Sequence, residues 1–510
     1  MGELFTALLI RCVSPAFAAL TKAIHGYCLK LGSLSDLHLA TRMLVALSKC
    51  GVVEDACQLF EEIPAASFAL DIVPWNAIIS GCVRNGRDEL AFQYFKRIHS
   101  GYSRYNCGGE GLMTDSYTLS SLLSSTHCLK NTITSGEQLH GYCLKTGLLS
   151  SISVGNALIT FYAAWRRLVD ASSIFASITQ RNIVSWTALI SGYARQQGHE
   201  EESLKLFVLM ANGDDGLRPN QFTFASVIGA CASLAWLSQG MALKSLAFKM
   251  GLFFDIHIQN ALISFYSECG CLDSAELTFK AIIEPDIVSW NSLLKGYSQQ
   301  GRGTEALRIL DQMIEVGVLP DSVSFVSVLS ACSHSGMASH GLELFKRMER
   351  EYGICPRNEH VSCIISLLGR AGKLHEAADF ILAIPFDLSS SAWRTLMGAC
   401  RVHGSAEEIA EWAVAQLLER EPGDAESNVV LSNIYASSGR WDMVRKMRCL
   451  MKDKGVTKDA GSSWIEVGNR FHSFVSFDWG HPQMEEMRIT LIELTNNIKK
   501  DEHALQNSEA

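Results

Sequence analysis

The sequence predicts an all-α fold in which helical hairpins stack into an α-solenoid. The first observation is helical periodicity, with the i, i+3, i+4, i+7 spacing of one helix face at Trp290, Leu293, Leu294 and Tyr297. The second is a break at Gly301–Gly303, after which the spacing resumes at Ala306, Leu310 and Met313. The third is repetition, because similar segments recur along the chain. One hairpin could not bury its apolar face alone, so it must stack on its neighbours.

Length and composition narrow the class of protein. The 510 residues are too many for one globular core, so several domains or a solenoid are expected. The net charge of −9 argues against indiscriminate nucleic-acid binding but is compatible with a local basic groove. No apolar run approaches membrane-spanning length, so we expect a soluble protein without a membrane partner. The N-terminal segment shows no clear signal or transit peptide.

The cysteines recur in register and contain no Cys-x-x-Cys. Cys12, Cys231 and Cys332 occupy equivalent places, Cys50 and Cys269 both precede a glycine, and Cys28 matches Cys143 inside HGYCLK. This pattern predicts small buried thiols packed between helices in a reducing compartment, rather than disulfides or metal ligands.

Three slightly different hairpin types alternate along the chain. His25–Asp36 returns at His140–Ser151, and Asn156–Ile159 returns at Asn260–Ile263. A third pattern follows a tryptophan each time, at Trp75, Trp186 and Trp290. The self-similarity therefore has no single period.

In these motifs the chain resembles plant pentatricopeptide repeat proteins of the PLS subclass, in which P, L and S motifs alternate. The resemblance implies a right-handed α-solenoid of helix-turn-helix hairpins over residues 2–389. The motifs are L at Gly2–Asp36, S at Leu37–Asp71, P at Ile72–Asp115, L at Ser116–Ser151, S at Ile152–Asn182, P at Ile183–Asn220, L at Gln221–Asp255, S at Ile256–Asp286, P at Ile287–Asp321, L at Ser322–Arg357 and S from Asn358 to about Leu388.

Residues 390–458 resemble the E extension of the same subclass, which implies a pair of degenerate, tetratricopeptide-like hairpins. Residues 459–510 resemble the E+ segment followed by a polar tail. Two departures from the family pattern are Ala460, where proline is usual, and Ser462, where cysteine is usual. Four tryptophans of this region are predicted to be core residues rather than binding anchors: Trp393, Trp412, Trp441 and Trp464.

The candidate site consists of the fifth residue of each S or P unit and the last residue of the same unit. These residues are Thr41 with Asp71, Asn76 with Asp115, Asn156 with Asn182, Thr187 with Asn220, Asn260 with Asp286, and Asn291 with Asp321. Asn and Thr are mildly unfavourable inside helices, so their recurrence needs a reason. One interpretation is structural, since Asp and Asn are good N-caps and a mid-helix Asn can bond its own backbone. The other is base recognition, one nucleotide per repeat, which the resemblance favours.

The family's recognition rule implies a base for each pair. Thr41 with Asp71 resembles a G reader, Thr187 with Asn220 an A reader, and Asn156 with Asn182 a pyrimidine reader with C preferred. Three pairs resemble U readers: Asn76 with Asp115, Asn260 with Asp286, and Asn291 with Asp321. The L units discriminate weakly, Thr6 with Asp36 nominally reads G, and the last S unit, with Ser362, is ambiguous. The implied RNA site is 5′-GUNYANUU-3′, upstream of a target C.

No catalytic constellation is present in the sequence. A zinc deaminase needs His-x-Glu together with Cys-x-x-Cys, and no Cys-x-x-Cys occurs in the sequence. The histidines His360, His375, His403 and His472 have no metal-ligand spacing. We therefore expect a non-enzymatic protein without a cofactor, whose sequence stops where the family's DYW deaminase domain would begin.

The resemblance implies a site-recognition factor for organellar C-to-U RNA editing that recruits a DYW-type deaminase in trans and acts as a monomer. The expected compartment is the mitochondrion or the plastid, with preference for the mitochondrion. The first alternative is an organellar RNA stabilisation, splicing or translation factor. A tetratricopeptide-like peptide-binding scaffold is disfavoured, because it needs Lys or Arg where this chain has Asn and Thr.

Overall fold

The computed structural model describes residues 8–9, 14–32, 36–63, 72–99, 114–125, 133–213, 216–403, 407–421, 424–453, 462–467, 470–475 and 483–494. Helices dominate these residues, as predicted, and they alternate as the first and second helices of successive hairpins. None of the described helices is long and apolar enough to cross a membrane.

The first helices of the hairpins are Leu37–Lys49, Val73–Arg84, Ser116–Ser125, Ile152–Ala164, Ile183–Ala194, Gln221–Ser233, Ile256–Glu268, Ile287–Gln299, Ser322–His334, Asn358–Arg370, Ser390–His403 and Ala425–Ser437. The second helices are Ala18–Lys30, Val53–Glu62, Asp88–His99, Ile133–Thr146, Leu168–Ser177, Glu200–Asn212, Leu237–Lys249, Leu272–Lys280, Gly303–Glu315, Ala338–Arg350, Leu374–Leu382, Glu407–Arg420 and Trp441–Asp453.

The first compact unit comprises residues 1–234 and 243–262. Within it, each first helix packs on the first helix of the next hairpin, from Leu37–Lys49 through to Gln221–Ser233. Small residues allow these helices to approach closely. A Cβ atom at Gly192 would lie 2.6 Å from the Cβ of Ala163, so a larger residue would push the two helices apart.

The second compact unit comprises residues 235–242 and 263–510. Its first helices also pack in sequence, from Ile287–Gln299 through to Ala425–Ser437. The predicted apolar faces are buried here, including Trp290, Leu293, Leu294 and Tyr297. The predicted break is a turn in which Gly301 adopts a φ of 65°, a conformation that favours glycine.

The cysteine prediction is confirmed for most positions that the structure describes. Cys28, Cys50, Cys143, Cys231 and Cys332 are buried thiols, whereas Cys269 is half-buried and Cys12 lies outside the described residues. Burial raises the pKa of Cys143 and of Cys332 to about 11, which keeps these thiols protonated and unreactive.

The C-terminal region differs from the sequence prediction in two respects. Residues Ser462–Val467 and Arg470–Val475 form an antiparallel two-stranded hairpin, which sequence analysis did not predict. The prediction that Trp441 is a core residue is wrong, because the side chain lies at the start of its helix and is 62% exposed. Trp393 is buried and Trp412 half-buried, while the side chain of Trp464 is outside the described set. A further helix covers residues 484–494.

Candidate nucleic-acid interface

The last residue of a repeat caps the first helix of the next repeat. Its side-chain oxygen accepts a hydrogen bond from the backbone N–H of the third residue of that helix, as in Asp321 with Ser324 at 2.9 Å. The same arrangement occurs at Asp115, Asn182, Asn220 and Asp286. Capping, the structural interpretation of these residues, is therefore confirmed, and Asp71 lies outside the described residues.

In the predicted pair of Asn291 and Asp321, the asparagine amide is hydrogen-bonded at both its nitrogen and its oxygen. We call Asn291, Asp321 and Ser324 the Asn291 site. The Asn291 amide donates from Nδ2 to Asp321 Oδ1 at 3.1 Å, and its Oδ1 accepts the Ser324 hydroxyl at 2.6 Å. Burial raises the pKa of Asp321, but hydrogen bonds from the Ser324 N–H, the Asn291 amide and the Ser324 hydroxyl outweigh this and lower the pKa. The carboxylate is therefore ionised at neutral pH.

Asn76, Asp115 and Thr118 form the same arrangement, which we call the Asn76 site. Asn76 Nδ2 donates to Asp115 Oδ2 at 2.7 Å, and the Thr118 hydroxyl donates to Asn76 Oδ1. In the described structure, the side chains of Asn76 and Asn291 do not form the bond to their own backbone that the structural interpretation allowed. Their amides are instead bound to the neighbouring repeat, although Asn76 is itself only 9% exposed.

Asn156, Asn182 and Ser185, the Asn156 site, are joined more loosely. Asn156 Nδ2 lies 3.4 Å from Asn182 Oδ1, and Asn156 Oδ1 is buried with no hydrogen-bond partner among the described residues. The Ser185 hydroxyl donates to Asn182 Oδ1 at 3.0 Å instead. One edge of the Asn156 amide is therefore left without a hydrogen bond to any residue that the structure describes.

The threonine pairs use their hydroxyl groups differently. In the Thr187 site, formed by Thr187, Asn220 and Thr223, the two threonine hydroxyls lie 2.8 Å apart and Thr223 also donates to Asn220 Oδ1 at 2.8 Å. The Thr41 hydroxyl donates to the backbone carbonyl of Leu37 at 2.7 Å, which leaves its oxygen as an acceptor. Asn260 is buried in the first unit, and Asp286 caps a helix of the second unit.

Two open grooves in the first unit bring the predicted residues together with apolar and basic side chains. The first, of about 450 Å³, is lined by Asn76 and Asp115 and also by Val73, Tyr117 and Arg84. The second, of about 690 Å³, is lined by Thr187, Asn220, Val184, Phe222 and Arg195. Each groove thus combines a polar pair, two apolar side chains from successive repeats, and two basic side chains, since Lys49 also lines the first groove and Arg166 the second.

The apolar side chains of these grooves were missed by the sequence analysis. They are the second residues of their repeats and are about half exposed: Val73, Tyr117, Val184 and Phe222. Val288 and Val323 occupy the equivalent position in later repeats and are similarly exposed. The sequence does carry a signal for them, because an apolar residue stands three positions before the fifth residue of each of these repeats. Residues three apart lie on the same face of a helix, so the apolar residue and the fifth residue share a face that is not the buried one.

Three basic residues stand at the ends of first helices beside the polar pairs. Lys49 and Arg84 line the groove of the Asn76 site, and Arg195 lines that of the Thr187 site. None of the three has an ion-pair partner in the described part of the chain, although the protein as a whole is acidic. Among the same residues, no group of three or more His, Cys, Asp or Glu side chains is arranged to hold a metal ion.

These features define a helical repeat protein whose successive repeats present similar polar pairs in grooves between their first helices. Family comparisons match residues 73–101 and 323–352 to the PPR repeat, residues 285–334 to the PPR repeat family, and residues 178–233 to the pentatricopeptide repeat domain. Residues 404–466 match the E motif.

Arabidopsis thaliana relatives cover almost the whole chain. A putative mitochondrial pentatricopeptide repeat-containing protein is 36% identical over 97% of this chain and 76% of its own length. The chloroplastic protein CRR2 is 34% identical over 94% of this chain and 71% of its own length. The chain spans only 54% of another chloroplastic relative, with 33% identity over 94% of this chain. The chain belongs to the pentatricopeptide repeat family, and it carries an E motif.

Two solved structures of the pentatricopeptide repeat protein PPR10 are also similar. The maize protein is 18% identical, with a TM-score of 0.41 over 90% of this chain and 74% of that chain. The complex of PPR10 with an 18-nt psaJ RNA element is 16% identical, with a TM-score of 0.43 over 83% of this chain and 76% of that chain.

Proposed function

We propose that this protein binds single-stranded RNA in a sequence-specific manner, with one base read by each S or P repeat. The observation that carries the proposal is the repeated groove, in which an amide or hydroxyl lies beside a helix cap, two exposed apolar side chains and an arginine that has no ion-pair partner among the described residues. Single-stranded RNA presents the matching groups, namely a flat base face, a hydrogen-bonding base edge and a phosphate.

Each part of the groove has a distinct task in this proposal. The apolar pair, such as Val184 and Phe222, flanks the two faces of one base. The fifth and last residues of the repeat meet the edge of that base, while Arg195 attracts a neighbouring phosphate. Because the net charge is negative, phosphate attraction is local to such residues, and affinity depends on the summed per-base contacts.

The chemistry of the pairs agrees with the bases that the family rule implies. At the Asn291 site the amide offers a donor and an acceptor, and the ionised Asp321 beside it disfavours a base acceptor. Uracil has a donor at N3 whereas cytosine has an acceptor there, so the site favours U. The neutral Asn182 carries no such charge, so the Asn156 site accepts pyrimidines with C preferred. The proposed RNA remains 5′-GUNYANUU-3′.

We further propose that the protein directs organellar C-to-U editing and that its E motif recruits a DYW-type deaminase in trans. The match of residues 404–466 to the E motif and the mitochondrial and chloroplastic names of relatives support this role. The exposed Trp441, inside the E motif, is an apolar surface group available to a protein partner. We expect the target cytidine to lie downstream of the bound RNA, in a mitochondrion or plastid.

The first test is binding of the whole chain to an RNA oligonucleotide containing 5′-GUNYANUU-3′ and to a scrambled RNA of equal composition, by electrophoretic mobility shift. We expect binding to the first RNA to be at least about tenfold tighter, because several mismatched bases each weaken the complex. Equal affinity for the two RNAs would contradict sequence-specific recognition.

The editing role is tested by deep sequencing of mitochondrial and plastid transcripts from a loss-of-function plant. One or a few cytidines that stay unconverted, downstream of a match to the proposed site, would support the editing role and identify the compartment. Complete conversion, with altered transcript ends or retained introns, would favour an RNA-processing factor instead.

A further inference from the structure

Buried hydroxyl groups recur at the third residue of the first helices. Thr118, Ser185, Thr223, Ser289 and Ser324 each have 0% of their surface exposed. Their hydroxyls therefore cannot touch RNA, and any influence on base selectivity must pass through another residue. All five also belong to the caps described above.

Three of these hydroxyls contact the fifth residue of the preceding repeat. Ser324 donates to Asn291 Oδ1 at 2.6 Å, Thr118 donates to Asn76 Oδ1, and Thr223 lies 2.8 Å from the Thr187 hydroxyl. The contacts join residues that are 33 to 42 positions apart, so they exist only because adjacent repeats stack.

We propose that a third-residue hydroxyl that contacts the fifth residue of the preceding repeat, as at Thr118, Thr223 and Ser324, is a positioning residue that sets the base selectivity of that preceding repeat. The inference rests on the proposed RNA-binding function. At these three sites, the base is read by a set of three side chains, of which the third is supplied by the following repeat.

The physical reason lies in the terminal torsion of asparagine, which has a broad, nearly two-fold energy profile. An amide without fixed partners can exchange its donor and acceptor edges, and it then suits uracil and cytosine almost equally. At the Asn291 site, Ser324 holds Oδ1 while Asp321 holds Nδ2. The remaining N–H and lone pair therefore keep one orientation toward the base.

The Asn156 site provides a matched control within the same chain. Ser185 forms the same reciprocal cap with Asn182 that Ser324 forms with Asp321. The Ser185 hydroxyl donates to the cap residue, and Asn156 Oδ1 has no partner in the described structure. Removing either hydroxyl thus weakens an equivalent cap, but only Ser324 also holds a base reader.

The experiment compares Ser324→Ala, Ser324→Thr and Ser185→Ala in the full chain. Dissociation constants are measured for RNAs that carry U or C opposite Asn291, and for RNAs that carry U or C opposite Asn156. We expect Ser324→Ala to reduce the preference for U opposite Asn291 by about three- to tenfold, the equivalent of one neutral hydrogen bond. Ser324→Thr should restore the preference, since threonine occupies this position at Thr118 and Thr223.

The outcomes separate this inference from the proposed function. Ser185→Ala should lower the thermal unfolding temperature about as much as Ser324→Ala, yet leave the U-to-C ratio opposite Asn156 unchanged. If wild-type protein prefers U opposite Asn291 and Ser324→Ala keeps that preference, the positioning role is wrong and RNA recognition stands. If wild-type protein shows no preference at that base, base reading by Asn291 fails, and the positioning role fails with it.

Discussion

The Asn291 and Asn156 sites have the same local design but differ in how firmly they hold their asparagine. Both place Asn at the fifth residue, and both have a serine that forms a reciprocal cap with the last residue. Asn291 is hydrogen-bonded through both edges of its amide. Asn156 has only a 3.4 Å contact to Asn182, and its Oδ1 has no partner in the described residues.

The residue at the cap accounts for this difference. Asp321 is an ionised carboxylate, and hydrogen bonds to a charged acceptor are stronger than those to a neutral one. Asn182 Oδ1 and Asp321 Oδ1 each accept the N–H and the hydroxyl of their serine, so the remaining difference is that the oxygen of Asn182 is neutral. At these two helix caps, Asp in place of Asn therefore accompanies a more firmly held asparagine in the preceding repeat.

The largest expected effect comes from building the Asn291 arrangement into the Thr187 site. The double change Thr187→Asn with Asn220→Asp leaves Thr223 in place to hold the new amide. We expect the preferred base there to change from A to U, a shift of about 1–3 kcal/mol in relative binding free energy. Competition binding with RNAs that differ only at this base measures the change in preference. The single variant Asn220→Asp is the control. Unchanged binding to both RNAs would show that this pair does not read a base.

A smaller effect is expected from exchanging the caps of the two asparagine sites. Asn182→Asp should hold Asn156 more firmly and move its preference from C toward U, whereas Asp321→Asn should move the Asn291 site from U toward C. At each site, the ratio of the dissociation constants for U and for C should change by about tenfold, which corresponds to the difference in free energy between a charged and a neutral hydrogen bond. Because both residues remain good caps, thermal stability should change little in either variant. If both substitutions moved the preference between U and C in the same direction, the cap residue would not explain the difference between the two sites.

The smallest effect concerns pH, because only one of the two sites contains a titratable cap. The pKa of Asp321 is lowered in the folded protein, so its ionised form contributes stability above the pKa of an unfolded aspartate. That contribution is lost as the pH falls through the lower folded pKa. In urea unfolding, wild type and Asp321→Asn should differ by a constant amount above about pH 5 and converge below about pH 4. If the stability difference between the two proteins increased as the pH fell, the ionised, hydrogen-bonded state of Asp321 would be contradicted.

Much of the candidate site was predictable from the sequence, because its periodicity is local. The spacing of Asn76 and Asn291 after their tryptophans, and of Asp115 and Asp321 before the next helix, identified the polar pairs and their caps. The exposure of Val184 was not predicted, because a valine next to the apolar face of a helix is expected to be buried. The exposed Trp441 was missed for a similar reason, because helical context does not tell whether a neighbour covers a side chain.

The sequence by itself determined the helical hairpins, the positions of the caps and the repeat in which each polar pair lies, since these depend on residues a few positions apart. Only the tertiary structure decided which asparagine is held in one orientation. Asn156 and Asn291 are alike in sequence, but the bond from Ser324 to Asn291 spans 33 residues and forms across two stacked repeats. The charge of each cap residue can be read from the sequence, but whether a hydroxyl comes within hydrogen-bonding distance of the amide depends on how the two repeats stack.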